Sequence, residues 1–244
     1  MEHKEIKAVF FDCWSTLISF SEKRKDWNTV PLKRHFCGKN EVDWDEVDSF
    51  AEQFFQKYYQ SAKYEITYDQ FLKLIITIFS LKLDCPLHQL NFEVLDGLDP
   101  QPIPGIEMFL EYLKKRNCFT AILSDTIYDT SASYDLVKRL IPSSEFAYFF
   151  GSCEIGCKKP DPDFFRAGIA RSHMDMSSSV YIGDRFCQDV FGSYVSGFSH
   201  SVWMNRKGKP KENYANQCDI HLPIYTEVSS YEELFSVFEK GELL

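Results

Sequence analysis

The chain has 244 residues, 44% hydrophobic and 26% charged, with a formal net charge of −9 and a sequence pI near 5.2. That length and apolar share suit one sizeable α/β core with a smaller module attached, and exclude a disordered chain. The acidic balance argues against nucleic acid or an anionic membrane surface as partner, since both are gripped by basic patches. No run of about 18 apolar residues offers a bilayer span either.

The opening stretch mixes acids with bases and has no long apolar segment, so a secretory leader is not expected and a cytoplasmic compartment is. "KAVFFD" (7–12) reads as a buried strand that runs straight into Asp12, with Thr16 four residues on. A carboxylate at a strand end, followed by a hydroxyl, has the look of a nucleophile on a loop. Position 14, where a second acid would be wanted to shuttle protons, holds Trp14. The basic clusters "EKRK" (22–25) and "LKRH" (32–35) read as solvated faces.

Residues 18–98 break the strand rhythm. "VDWDEVDSFAEQFFQKYYQSA" (42–62) places Val47, Phe50, Phe54 and Tyr58 at helical spacing, and "TYDQFLKLIITIFSLKL" (67–83) predicts a second helix with Thr67 as N-cap. The block is read as a helical insertion, 18–98, in a core made of 1–17 and 99–244, with "QPIPG" (101–105) marking the return. Phe20, Trp27, Arg34, His35 and Tyr58 are its candidate lining residues, and His35 reads as a surface or packing histidine.

Beyond the insertion, "FTAILSD" (119–125), "FAYFFGS" (146–152), "SVYIGD" (179–184) and "HSVWMN" (200–205) are short unbroken apolar runs, as parallel strands covered on both faces require. Between them "GIEMFLEYLKKRN" (105–117), "PDFFRAGIARS" (162–172) and "QDVFGSYVSG" (188–197) predict helices. The alternation predicts a doubly wound parallel sheet. Eight cysteines (13, 37, 85, 118, 153, 157, 187, 218) form no C-x-x-C pair, so reduced thiols are expected. Cys153 and Cys157 alone lack the paired spacing of a zinc site.

Ligands of such sheets gather at the carboxyl ends of the strands. There lie Asp12 and Thr16, Ser124 and Asp125, Lys159, and Asp184 with Asp189. Crowded carboxylates repel unless a divalent cation neutralises them, and an all-oxygen site suits magnesium. Lys159 and the cation would flank one anionic group, with Ser124 and Thr16 as neutral donors, which fits a phosphoryl group. Asp12 would attack in line and form an aspartyl intermediate that water resolves.

Four stretches in order, "FFDCWSTL", "AILSD", "KKPDPDFF" and "YIGDRFCQD", resemble the motifs of the haloacid dehalogenase superfamily of hydrolases. The helical block is similar to that family's cap. The resemblance implies Asp12 as nucleophile, Ser124 as phosphate-binding hydroxyl and Lys159 as charge-stabilising lysine, with Lys158 at the surface. It implies a magnesium ion held by Asp12, Asp184 and the carbonyl of Trp14, with Asp189 as a further supporting acid. Asp125 and Arg34 join Ser124 and Lys159 as candidate contacts for a small phosphorylated substrate.

Two departures matter. Phosphatases of the family usually carry aspartate where Trp14 stands, and Ser15 replaces a usual glycine. Three readings stay open: a magnesium-dependent phosphatase that favours good leaving groups, a metal-free 2-haloacid dehalogenase, and an impaired phosphate- or metal-binding protein. An aromatic residue at position 14 resembles the dehalogenases, whose halide leaves without a proton, and Arg34 or Arg24 could bind a substrate carboxylate, though either is equally at home in solvent. Against that reading stand Asp184, which those enzymes lack, and Phe165, where they carry tyrosine. The phosphatase is therefore preferred.

Overall fold

A strand with no polar residue must be covered on both faces, and β1 (Ala8–Phe11) is: all four residues are fully buried. The structure is a computed structural model that describes residues 6–20, 29–59, 62, 64–208 and 225–241, apart from the side chain of Tyr58. "EKRK" (22–25), Trp27 and Cys218 lie outside the described residues, as does the Tyr58 side chain.

β1 pairs in parallel with β4 (Phe119–Ser124) on one side and β6 (Ser179–Gly183) on the other. Completed by β5 (Phe149–Gly151), β7 (His200–Met204) and β8 (Thr226–Val228), the sheet has the order β5-β4-β1-β6-β7-β8, parallel throughout. Alternate side chains of β1 serve opposite faces. Val9 and Phe11 face a core that includes Phe109, Leu136 and Tyr231, from α5 (Ile106–Lys115), α6 (Thr130–Leu140) and α9 (Tyr231–Lys240). Ala8 and Phe10 face another, with Phe164 and Phe165 from α7 (Pro162–Ala170). Helices thus cover both faces, as the alternation predicted. α8 (Gly192–Ser196) is preceded by a widened helical turn, Phe186–Phe191.

After β1 the chain passes through β2 (Ile18–Ser19), enters a block with four α-helices among its described residues, and returns through β3 (Gln101–Pro102), which pairs antiparallel with β2. The helices are α1 (Val30–His35), α2 (Trp44–Gln53), α3 (Tyr68–Ile78) and α4 (Leu87–Gly97). The predicted start of α3 stands: the Thr67 hydroxyl accepts from the Gln70 amide, and the Gln70 side chain accepts from the Thr67 amide. α2 ends sooner than its apolar spacing suggests and widens over Phe54–Tyr59. Val47, Tyr68, Phe71 and Ile75 share one continuous apolar core with Val9 and Phe11. The underside of the block is therefore welded to the sheet by hydrophobic burial.

Candidate active site

Connections leave β1 toward β4 and leave β6 toward β7, in opposite directions across the sheet. The crevice between the carboxyl ends of β1 and β6 is the switch point where ligands of open α/β sheets settle. Asp12 and Asp184 are the residues that follow these two strands. Asp12, Asp184 and Asp189 present carboxylate oxygens within 4.8 Å of one another.

One cation serves this cluster directly. Lys159 Nζ, buried, donates to Asp12 Oδ1 at 2.7 Å, to Asp189 Oδ1 at 2.5 Å and to Tyr181 Oη at 3.1 Å. Burial opposes its charge, but the Asp12 and Asp189 carboxylates outweigh that and hold the ammonium protonated. Tyr181 in turn donates to the Leu123 carbonyl at 2.6 Å, so its acceptor side faces the lysine. The Lys159 amide donates to Asp125 Oδ1 at 2.9 Å, which ties the lysine loop to the end of β4.

Asp12 is 4% exposed. Its Oδ1 accepts from Lys159 and from the Ser124 hydroxyl at 2.8 Å, whereas Oδ2 has only a long 3.4 Å contact from Thr16 Oγ1. Asp189 is fully buried, and its second oxygen accepts from the Arg185 amide at 2.8 Å. Space for that carboxylate exists because residue 183 has no side chain: a Cβ on Gly183 would sit 2.3–2.5 Å from the Asp189 side chain. Burial raises the Asp12 carboxyl above the usual range; Lys159 pulls it down and Asp189 pushes it up. Asp184, half-buried, is raised by burial first and then by the charges of Asp12 and Asp189. Among the described residues, Lys159 is the cation that pairs directly with this cluster, and Arg185 adds a weaker positive influence on Asp184.

Trp14 points into an aromatic group, its ring centroid 5.1 Å from Phe20, with Tyr128 and Phe149 at 6.3 and 6.4 Å. Ser15 adopts φ +65°, the left-handed conformation that glycine takes freely.

A cleft of about 1170 Å³ opens over Lys159 and Asp125, lined also by Tyr59, Lys158, Arg185 and Gln188. Lys158 departs from the expected surface position. It is half-buried, donates to the Tyr59 carbonyl at 3.1 Å and lies over the Tyr59 ring, so it meets the helical block. Arg34 is not brought to the cluster: its guanidinium pairs with Glu93 at 2.7 Å, and Lys33 pairs with Asp48 at 2.5 Å. The "LKRH" charges are therefore neutralised inside the block. Phe165 is fully buried and stacks edge-on against Tyr181.

Tyr181 and the Asp189–Arg185 link were not foreseen. Within the apolar run "SVYIGD" the alternation of Tyr181 with Ile182 is the signal that places Tyr181 on the other layer.

The chain belongs to the haloacid dehalogenase-like hydrolase family, whose sequence model matches residues 6–192. The mouse "Haloacid dehalogenase-like hydrolase domain-containing protein 3" is 30% identical over 97 residues, 40% of this chain and 38% of the mouse protein. A phosphoserine phosphatase of Thermus thermophilus is 27% identical over 135 residues, 54% of this chain and 51% of that enzyme. The chain thus spans about half or less of these two relatives. A crystal structure of a HAD phosphatase from Thermococcus onnurineus superposes with a TM-score of 0.61 at 20% identity, covering 98% of this chain and all of that one. Solved 2-haloacid dehalogenases share the fold too, so the fold does not select the reaction.

Proposed function

We propose that the chain is a magnesium-dependent phosphatase of small phosphorylated substrates, working through an aspartyl-phosphate on Asp12. One observation carries the reading: three carboxylates lie within 4.8 Å of one another, and Lys159 pairs directly with Asp12 and Asp189 and not with Asp184. A metal-free dehalogenase has no use for Asp184. The donor set, all oxygen and short of positive charge, fits Mg²⁺. Asp12, Asp184 and the carbonyl of Trp14 would hold it, with Asp189 behind them, and when bound it would offset charge on the phosphoryl oxygens.

Asp12 Oδ1 is already occupied by Lys159 and Ser124, so Oδ2 is the attacking atom. Its lone pair forms the O–P bond while the bond from phosphorus to the leaving oxygen breaks, and that oxygen departs with the electron pair. Lys159 and Ser124 keep the carboxylate oriented and offset its charge. Water then attacks phosphorus, the Oδ2–P bond breaks, and phosphate and the carboxylate are released. Trp14 has no proton to give the leaving oxygen. Aryl and acyl phosphates, whose leaving groups are stable as anions, are therefore the favoured class. The cleft over Lys159 and Asp125, with Tyr59 and Lys158 on its rim, would receive the remainder of the substrate.

The test is phosphate release from 4-nitrophenyl phosphate. Release that requires Mg²⁺ and disappears in Asp12→Asn is expected. Activity that survives Asp12→Asn, or chloride release from 2-chloropropionate without metal, would overturn the reading.

A further inference from the structure

A second convergence of ligand-type side chains lies in the helical block. His35, the last residue of α1, meets Asp84 and Cys85, which precede α4. An imidazole nitrogen, a carboxylate oxygen and the thiol sulfur lie within 4.8 Å of one another. The backbone sets this up. Phe36 forms an antiparallel bridge with Leu83, the Cys37 amide donates to the Lys82 carbonyl at 2.8 Å, and the Asp84 amide donates to the His35 carbonyl at 3.1 Å. His35 is thereby fixed opposite Asp84, and Cys85 follows within reach.

The two ring nitrogens have different surroundings. Nε2 lies 2.7 Å from Glu93 Oε1, and Nδ1 lies 2.9 Å from Asp84 Oδ1. Glu93 is pinned as a carboxylate: Arg34 donates to its Oε2 at 2.7 Å and Gln89 to its Oε1 at 2.8 Å. A metal-bound histidine commonly donates its distal N–H to such an anchored carboxylate, which fixes tautomer and ring plane. Nε2 is committed to Glu93 and Nδ1 faces Asp84; the hydrogen bonds to Asp84 and Glu93 favour the protonated ring, so an entering cation would take the place of the Nδ1 proton. Bond lengths of about 2.0–2.3 Å put tetrahedral ligand atoms roughly 3.3–3.8 Å apart, so His35 Nδ1 and Asp84 Oδ1, now 2.9 Å apart, must separate slightly to admit the ion. The Asp84 side chain, 61% exposed, has the freedom to move that far.

We propose that His35, Asp84 and Cys85 form a binding site for a zinc-class divalent cation, with Glu93 as the outer partner of His35. Nitrogen and sulfur donors select zinc or cobalt, whereas the acidic cluster at Asp12 offers oxygen alone and suits magnesium. The two sites therefore draw on different ions. Binding forms the metal–nitrogen and metal–sulfur bonds as the His35 Nδ1 proton and the Cys85 proton leave to solvent. The ion ties the end of α1 to the approach to α4, 49 residues apart.

The experiment titrates the full chain with Co²⁺ and reads thiolate-to-cobalt charge-transfer absorption, which an all-oxygen site cannot produce. Zn²⁺ affinity is then measured by competition with a chromophoric chelator. One equivalent of Co²⁺ is expected to give the band, Zn²⁺ to bleach it, and Asp184→Asn to leave it intact. Cys85→Ser and His35→Gln should each abolish it, and Glu93→Gln should weaken Zn²⁺ about 10–100-fold. No band in the wild-type protein, or a band that survives Cys85→Ser or His35→Gln, overturns the site. Should Cys85→Ser not fold, Asp84→Ala decides: at least tenfold weaker Zn²⁺ supports the site, and unchanged affinity refutes it.

Discussion

Trp14 stands where the proposed chemistry would use an acid. Its ring packs against Phe20, Tyr128 and Phe149, so the side chain that replaced an acid has been drawn into the apolar layer beneath the helical block. Trp14→Asp is expected to raise phosphate release from alkyl phosphates by as much as about 10²–10⁴-fold, the usual worth of a positioned acid, and to change aryl phosphates far less. The same change removes aromatic packing, so stability should fall by a fraction of the roughly 3–5 kcal/mol that deleting a fully buried aromatic costs, and the melting temperature should fall with it. Phosphate release from both substrate types, measured beside a thermal melt, checks this; equal rates in variant and parent would refute the missing-acid account. Asp12, Ser124, Lys159 and Asp184 could be read from the sequence because each terminates a strand or sits in the loop beside one. Their bond partners could not. That Asp189 serves Lys159 and the Arg185 amide depends on a close approach over Gly183, which a linear pattern does not encode.

Among the elements, strand β7 carries a testable charge effect. His200 is 6% exposed, its Nε2 2.8 Å from Thr226 Oγ1 on β8, and burial lowers its pKa to about 4. The folded chain keeps this imidazole neutral, while the unfolded chain protonates it near pH 6.5. Below that pH the unfolded state binds the extra proton, so stability declines between about 6.5 and 4 and the penalty then levels off. The total is at most about 3 kcal/mol. Denaturant titrations across pH 4–7 should show a shallower acid-side decline in His200→Gln than in the parent; identical slopes would dismiss His200 as the source. The central strands and the capping box of α3 were legible because each is a local pattern: an unbroken apolar run, or Thr67 three residues before Gln70. No clear signal announces β8 or the helices α1, α4, α6 and α9, and β8 and α6 show why. β8 is three residues long, and α6 mixes Ser133 and Asp135 with its apolar positions, so neither gives a clear period.

At the scale of the molecule, Asp12 and Asp184 end adjacent strands, and Lys159 arrives from the loop between β5 and α7. An ion held there links segments distant in sequence and should favour the folded state by mass action, about 2.7 kcal/mol at a hundredfold excess over Kd. Millimolar Mg²⁺ is therefore expected to raise the melting temperature of the parent and not that of Asp184→Asn. Equal shifts in both proteins would place the ion elsewhere.

The β2–β3 ribbon has a consequence of another kind. Ile18 faces Pro102 and Ser19 faces Gln101, so the chain departs and re-enters through neighbouring rungs of a single ladder. A segment grafted between those rungs would begin and end side by side on one ladder. The junction behaves as a socket. Its one demand on a graft is a greasy underside to replace the cover that Tyr68, Phe71 and Ile75 now supply.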